Sequence, residues 1–348
     1  MFQRVFPPMI RRSQCDVAIV ILAGVVAGWN LPRVGAQDQA FSREILARAR
    51  VFPEIGPGVT ALKRDAAGRY YVLAASATAI QIYGADGKRL GQIPNANSHG
   101  AKITYAQDID LDAAGRLLVA DRGANAIKIF EADGSLDATI RVIAPMSIAA
   151  LSNNEIAVAS LRSANLVQII DASGALVRGF GEPPAAPQGA SRDESLSHGR
   201  LYGDSAGHIY FAFTELPDPT IRKYDRFGYA AYEISLPASE FKPQPGEKHW
   251  TTVVIDKGGT TTSEKPVIGA LGVDPETQEV WVAIGGEIVH FDKDGNRRSS
   301  YRTSTKEGAP IEPTAILVEH DRLLIAGDPF GVFDFALPEP RHAAAVAQ

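Results

Sequence analysis

Asp108 and Asp121 stand in the most regularly patterned stretch of the chain, with Arg122 and Asn125 directly after the second. Carboxylates so placed can ligate a divalent ion, serve as a general base, or fasten backbone amides. His99, His198 and His249 are imidazoles that could add metal ligands, but they are scattered, and only the fold could bring two of them together. Arg162, Arg200, Glu215, Trp250 and Asp328 supply the charges and the aromatic face that a polar ligand would use. Covalent catalysis has little to draw on. No Gly-x-Ser-x-Gly nucleophile turn occurs, and the one cysteine, Cys15, lies in the N-terminal segment.

That segment carries an address. Arg4, Arg11 and Arg12 precede an apolar run of about 13 residues (17–29), and Val34-Gly35-Ala36 supplies small residues before Gln37. This is the three-part layout of a bacterial-type signal peptide, here residues 1–36. The run is too short to span a bilayer as a helix, which takes about 20 residues. The expectation is an exported protein, periplasmic or secreted, with no membrane span in the mature chain. Arg11-Arg12 resembles a twin-arginine signal, yet Ser13-Gln14-Cys15-Asp16 follows where apolar residues belong, so the export route stays open. With Cys15 removed, the mature chain has neither a disulfide nor a thiol. The 348 residues are 45% hydrophobic with a formal net charge of −5, which gives no electrostatic case for nucleic acid.

What must position the candidate residues is a repeat. Five times an apolar residue is followed, after three intervening residues, by glycine: Tyr83-Gly84-Ala85-Asp86-Gly87, Phe130-Glu131-Ala132-Asp133-Gly134, Ile170-Asp171-Ala172-Ser173-Gly174, Tyr224-Asp225-Arg226-Phe227-Gly228 and Phe291-Asp292-Lys293-Asp294-Gly295. Each separates two alternating apolar runs, as a hairpin turn does. A second turn precedes them at Asp65-Ala66-Ala67-Gly68, Asp112-Ala113-Ala114-Gly115 and Asp204-Ser205-Ala206-Gly207, with weaker versions near Asn153 and Asp274. From Gly68 to Tyr83 and from Gly115 to Phe130 the interval is the same 15 residues, room for two short strands and a loop. Each unit is therefore a four-stranded meander.

The copy from Gln107 to Phe130, with Asp112-Ala113-Ala114-Gly115, Val119-Ala120-Asp121 and a strand ending at Phe130, closely resembles the NHL repeat. The resemblance is specific there, good over 59–93 and looser elsewhere, and together covers most of residues 59–335. It implies an all-β β-propeller of four-stranded antiparallel blades, spanning 37–340 before a flexible tail (341–348), and the count of six blades, a six-bladed β-propeller, rests on how the ring closes. The sixth unit, from Pro313, lacks a fourth strand, and the apolar segment 49–55 is its donor, so an N-terminal strand closes the ring and removes the sheet edges. A seventh blade hidden in 237–267 is the competing reading, although that stretch shows one convincing strand (251–255).

Meander geometry puts the glycine turns on one face and gathers the irregular loops, including 121–125, 160–165, 214–220 and 327–331, on the other. The interblade connections 95–104, 182–198 and 237–266 join them there. Long loops on a rigid scaffold are where binding sites form. All the candidate residues above are expected around the channel mouth on that face. Asp121 is also typical of the repeat itself, capping a turn, and Asp108 can serve exposed amides.

Two functions follow. One is a binding protein, expected to be a monomer, that holds a protein, peptide or glycan on the loop face. The alternative is a metal-dependent enzyme, since similar propellers include lactone hydrolases, which hold a divalent ion with carboxylates and asparagines, and a lyase of peptidyl-hydroxyglycine with histidine-bound zinc. Against that pattern the inner-strand starts, set at Thr60, Asp108, Ser147, Leu201, Ile268 and Thr314, offer one carboxylate and no histidine. The sequence names no cofactor.

Overall fold

The computed structural model describes residues 42–184, 198–214, 216–241, 251–256, 259–264 and 267–338, with the two strands in 251–264 described by backbone alone. The expected signal peptide, the tail, Glu215, His249 and Trp250 lie outside these residues.

Six antiparallel blades follow one another along the chain. Blade 1 comprises Val59–Arg64, Tyr70–Ala74, Ile80–Tyr83 and Arg89–Ile93, and blade 2 comprises Ala106–Leu111, Leu117–Asp121, Ala126–Phe130 and Leu136–Arg141. Blade 3 is Pro145–Ala150, Ile156–Ser160, Val167–Ile170 and Leu176–Phe180; blade 4 is Gly199–Gly203, Ile209–Phe213, Thr220–Tyr224 and Ala230–Ser235. Blade 5 is Ile268–Val273, Val280–Ile284, Glu287–Phe291 and Arg297–Ser304. Blade 6 has Glu312–Val318, Arg322–Asp328 and Gly331–Ala336 from its own stretch of chain. Within each blade the strands are called a to d from the channel outward, and the a strands touch in cyclic order from blade 1 round to blade 6 and back.

The middle strands explain their own composition. Leu117–Asp121, Ile209–Phe213 and Val280–Ile284 are buried at every position because each is covered by a neighbouring blade on both faces. Outer strands such as Leu136–Arg141 are mostly exposed instead, with Ile140 turned inward. The core is correspondingly divided into interblade layers, for example Leu73, Ile80, Ile109 and Val119 between blades 1 and 2, and Trp281, Ile325 and Phe333 between blades 5 and 6. At the a–b turns of blades 1, 2 and 4 an aspartate holds the residue four positions on. Asp65 accepts from the Arg69 amide and guanidinium, and Asp112 does the same for Arg116. Gly68 and Gly115 complete these turns at φ +83° and +80°, a region that costs glycine nothing.

Ala49–Val51 pairs antiparallel with Gly331–Ala336 and supplies the missing fourth strand of blade 6. A second N-terminal strand, Arg43–Leu46, was not legible in sequence. It runs parallel to Arg297–Ser304 and makes blade 5 five-stranded. The strap is fastened by the Ser42 hydroxyl on Glu287 (2.6 Å), the Ser304 hydroxyl on Glu44 (2.9 Å) and Arg48 on Asp334 (2.7 Å). Between blades 4 and 5, Thr251–Asp256 and Gly259–Glu264 pair only with each other. Among the described residues that stretch forms a two-stranded sheet and not a seventh blade.

Candidate functional site

The a strands converge on the channel, and their register identifies equivalent positions. In every blade the amide that opens the a–b turn donates back across it, from Asp65, Asp112, Leu151, Asp204, Asp274 and Glu319 at 2.9–3.1 Å. Four residues before these stand Ala61, Asp108, Ser147, Arg200, Ala270 and Ala315. Two residues before them stand Lys63, Asp110, Ala149, Tyr202, Gly272 and Leu317. The sequence-based alignment of Thr60, Leu201, Ile268 and Thr314 with Asp108 is therefore one or two residues out of register. An irregularity near the start of the a strand shifts pairing in blades 1, 2, 3, 5 and 6, whereas blade 4 is regular, and such bulges carry no fixed sequence mark.

The corrected alignment divides the channel into a polar arc on blades 2–4 and an alanine arc on blades 5, 6 and 1. On the polar arc the side chains serve the next blade. Asp108 accepts from the Ser147 hydroxyl and the Ile148 amide (3.2 Å), Ser147 in turn accepts from the Leu201 amide (2.9 Å), and Asp110 accepts from the Ala150 amide (2.8 Å). Lys63 reaches from blade 1 to Asp110 at 2.8 Å. Blades 1 and 4 face each other across the ring, and the Arg200 guanidinium spans the gap to the Thr60 carbonyl at 3.2 Å. Arg200 thus closes the channel below the loop face. Between that closure and the a–b turns lies a cavity of about 90 Å³, lined by Lys63, Asp108, Arg200, Tyr202 and the a strands of blades 5 and 6.

Burial raises the Asp108 pKa, and Lys63, the Ser147 hydroxyl and Arg200 only partly oppose it. Burial works against the Lys63 ammonium, but Asp110 and Asp108 outweigh it and raise its pKa.

Of the residues expected at the site, Asp108 and Arg200 line the channel together. Lys63, Asp110, Ser147 and Tyr202, which complete that arrangement, were missed as site residues or named only as a strand start; the period from the a–b turn is the signal that finds them. Asp121 is wholly buried and accepts from the Thr104 and Tyr105 amides (both 2.9 Å), the Ala124 amide (3.2 Å) and Lys128 Nζ (2.7 Å). Asn125, at φ 51°, accepts from the Ala144 amide at 2.8 Å. Arg122 and Arg162 are exposed on b–c loops, Asp328 is exposed at the end of the b strand of blade 6, and His198, half-buried, opens blade 4 with its carbonyl on the Thr214 amide (3.1 Å). His99 is exposed in the connection 94–105. That connection does not stay on the loop face: Asn95 and Ser98 bond the Asp133 and Gly134 carbonyls at the c–d turn of blade 2. Strand twist swings the outer strands toward the following blade and carries the connection with them.

No protein-family model matches the chain, and no curated protein matches it. Solved structures do. The WD40 repeats of RRP9 superpose with a TM-score of 0.55 at 13% identity, over 84% of this chain and 99% of that one. Virginiamycin B lyase from Staphylococcus aureus gives 0.52 at 14%, over 83% and 98%, and U3-55K gives 0.54 at 12%, over 83% and 98%. The likeness is one of fold. At such identities a shared propeller says nothing about chemistry.

A divalent ion at the channel, as the NHL resemblance implied for the enzyme alternative, meets a poor donor set here. The equivalent positions hold one carboxylate, Asp108, whose oxygens already accept from Ile109, Ser147 and Ile148, with the Arg200 cation beside it. Among the described residues no group of three His, Cys, Asp or Glu side chains could hold a metal.

Proposed function

We propose that the protein is an exported NHL-type propeller that binds a protein, peptide or glycan on its loop face. The observation that supports this best is the bridging of the channel by Arg200, which leaves the b–c loops, with exposed Arg122, Asn125, Arg162 and Asp328, as the surface on that side among the described residues. The carboxylate best placed in those loops, Asp121, is fully engaged in holding them, so the loops are built for rigidity and their chemistry is recognition. Export rests on the N-terminal signal layout at residues 1–36.

The test screens the purified protein against peptide and glycan arrays beside an Arg122→Glu, Arg162→Glu double variant. A selective ligand that the charge reversals weaken at least tenfold is the expected result. Native mass spectrometry of the same sample should give a metal-free monomer beginning near Gln37. A stoichiometric divalent ion would overturn this reading in favour of the enzyme, and an intact Met1 would overturn export.

A further inference from the structure

The cavity on the short-turn side of Arg200 has a donor inventory that its own acceptors do not meet. Antiparallel ladders alternate bonded and non-bonded pairs, and the residue opening each a–b turn is in a bonded pair. The amides one and three positions before it must therefore point away from strand b, into the channel. Ile148, Ala150 and Leu201 do so, and each finds an acceptor in Asp108, Asp110 or Ser147. On the alanine arc the corresponding amides of Leu62, Leu271, Val273, Ile316 and Val318 line the cavity. With alanines at Ala61, Ala270 and Ala315, no side-chain acceptor among the described residues reaches them.

Arg200 adds a charge to this surplus. The half-buried guanidinium makes one hydrogen bond, to a neutral carbonyl, and Asp108, its electrostatic neighbour in the channel, makes no direct ion pair with it. Its other N–H groups, and the Tyr202 hydroxyl two residues along the same strand and near Lys63, make no hydrogen bond to a described acceptor. A half-buried guanidinium with most of its fork unspent is a group that receives a planar anion. Lys63 is already matched by Asp110. Asp108 and Asp110 together disfavour a dianion, so a singly charged ligand fits best. A cavity of about 90 Å³ is several times the ~10–15 Å³ that one water needs, enough for a two- or three-carbon acid.

We propose that this half of the channel is a binding site for a small aliphatic monocarboxylate, which enters from the short-turn side and is held by Arg200, the Tyr202 hydroxyl and the amides of blades 5, 6 and 1. The site is on the opposite side of Arg200 from the loop face and does not depend on what that face binds.

Titration of the purified protein with acetate, followed by calorimetry and ligand-observed NMR, tests it. Acetate should saturate with a Kd of about 1 mM or tighter, while neutral acetamide should show no saturable binding and inorganic phosphate should bind more weakly than acetate. Arg200→Gln should weaken acetate at least tenfold, Arg200→Lys should fall between, and Arg302→Gln, an exposed outer-strand control, should match the wild type. Wild-type protein alone keeps the proposal falsifiable if the Arg200 variants do not fold. Acetate that fails to saturate, acetamide binding as well as acetate, phosphate binding more tightly, or acetate bound equally by folded Arg200→Gln would each overturn it. Array binding at the loop face would be unaffected by any of these results, so the two readings fail separately.

Discussion

Asp121 shows how a repeat residue can look catalytic and be architectural. Its carboxylate ties the b–c loop of blade 2 to the incoming connection and to Lys128, and nothing of it reaches solvent. Burial alone would raise its pKa, but the Lys128 bond and the Thr104 and Tyr105 amides outweigh burial and lower it. Asp65, held by Arg69, and Asp292, held by Asn296, are likewise lowered against burial. A lowered folded-state value contributes stability above the ordinary aspartate pKa of about 3.9 and loses it as pH falls through the folded value. Urea midpoints should therefore hold above about pH 5 and drop steadily below about pH 4. Asp121→Ala strands Lys128 and three amides, and should cost about 3–5 kcal/mol in urea unfolding at pH 7. Asp108 has the opposite sign. Its raised value means that ionisation opposes folding as pH rises past about 3.9, so Asp108→Asn, which keeps the acceptor for Ser147, should be no less stable than wild type at pH 7.

Within the blades, close approach is the constraint that substitution exposes. A Cβ on Gly269 would come within 2.7 Å of the Pro313 carbonyl oxygen, where the a strands of blades 5 and 6 meet. Backbone cannot yield there as a side chain could. Gly269→Ala should therefore cost about 1–3 kcal/mol by chemical denaturation. The strap makes a similar demand at Phe52, which is 2% exposed and sits against Tyr70 and Tyr83 at centroid distances of 5.1 and 4.9 Å. Phe52→Ala should cost about 3–5 kcal/mol, and faster hydrogen exchange in Ala49–Val51 should report the loosened seam. Arg48→Ala removes only a largely exposed ion pair with Asp334 and should cost under about 1 kcal/mol.

The ring as a whole depends on a long-range closure, because residues 43–51 join strands that lie some 250 positions later in the chain. Two consecutive blades are bridged by one segment, blade 5 through a parallel pair and blade 6 through an antiparallel pair. Removing residues 42–51 uncovers the edges of Gly331–Ala336 and Arg297–Ser304 together, and exposed edges template association. The truncated protein should unfold at a lower temperature and aggregate by light scattering, whereas the full chain should melt in a single transition. The same closed ring leaves a polar channel at its centre, and Arg200 divides that channel into a loop side and a short-turn side.

Turn chemistry and strand pattern are local, so the repeat Asp-x-x-Gly turns and the apolar b strands were readable directly, and with them the all-β propeller, the blade count and the donor segment at 49–55. The apolar segment could be assigned because blade 6 visibly lacked a partner. The parallel strand Arg43–Leu46 could not, since its residues are mostly exposed and its only reason for being extended is the edge of blade 5. Asp108 and Arg200 were both singled out from sequence, but as separate loop-face residues. That they share a channel with Lys63 and Tyr202 depends on bulges that reset the register of five a strands, and on a ring that sets residues 60 and 200 opposite each other. Neither a bulge nor the diameter of a closed ring is written in any local run of residues, because both arise from packing blades at a fixed distance around an axis.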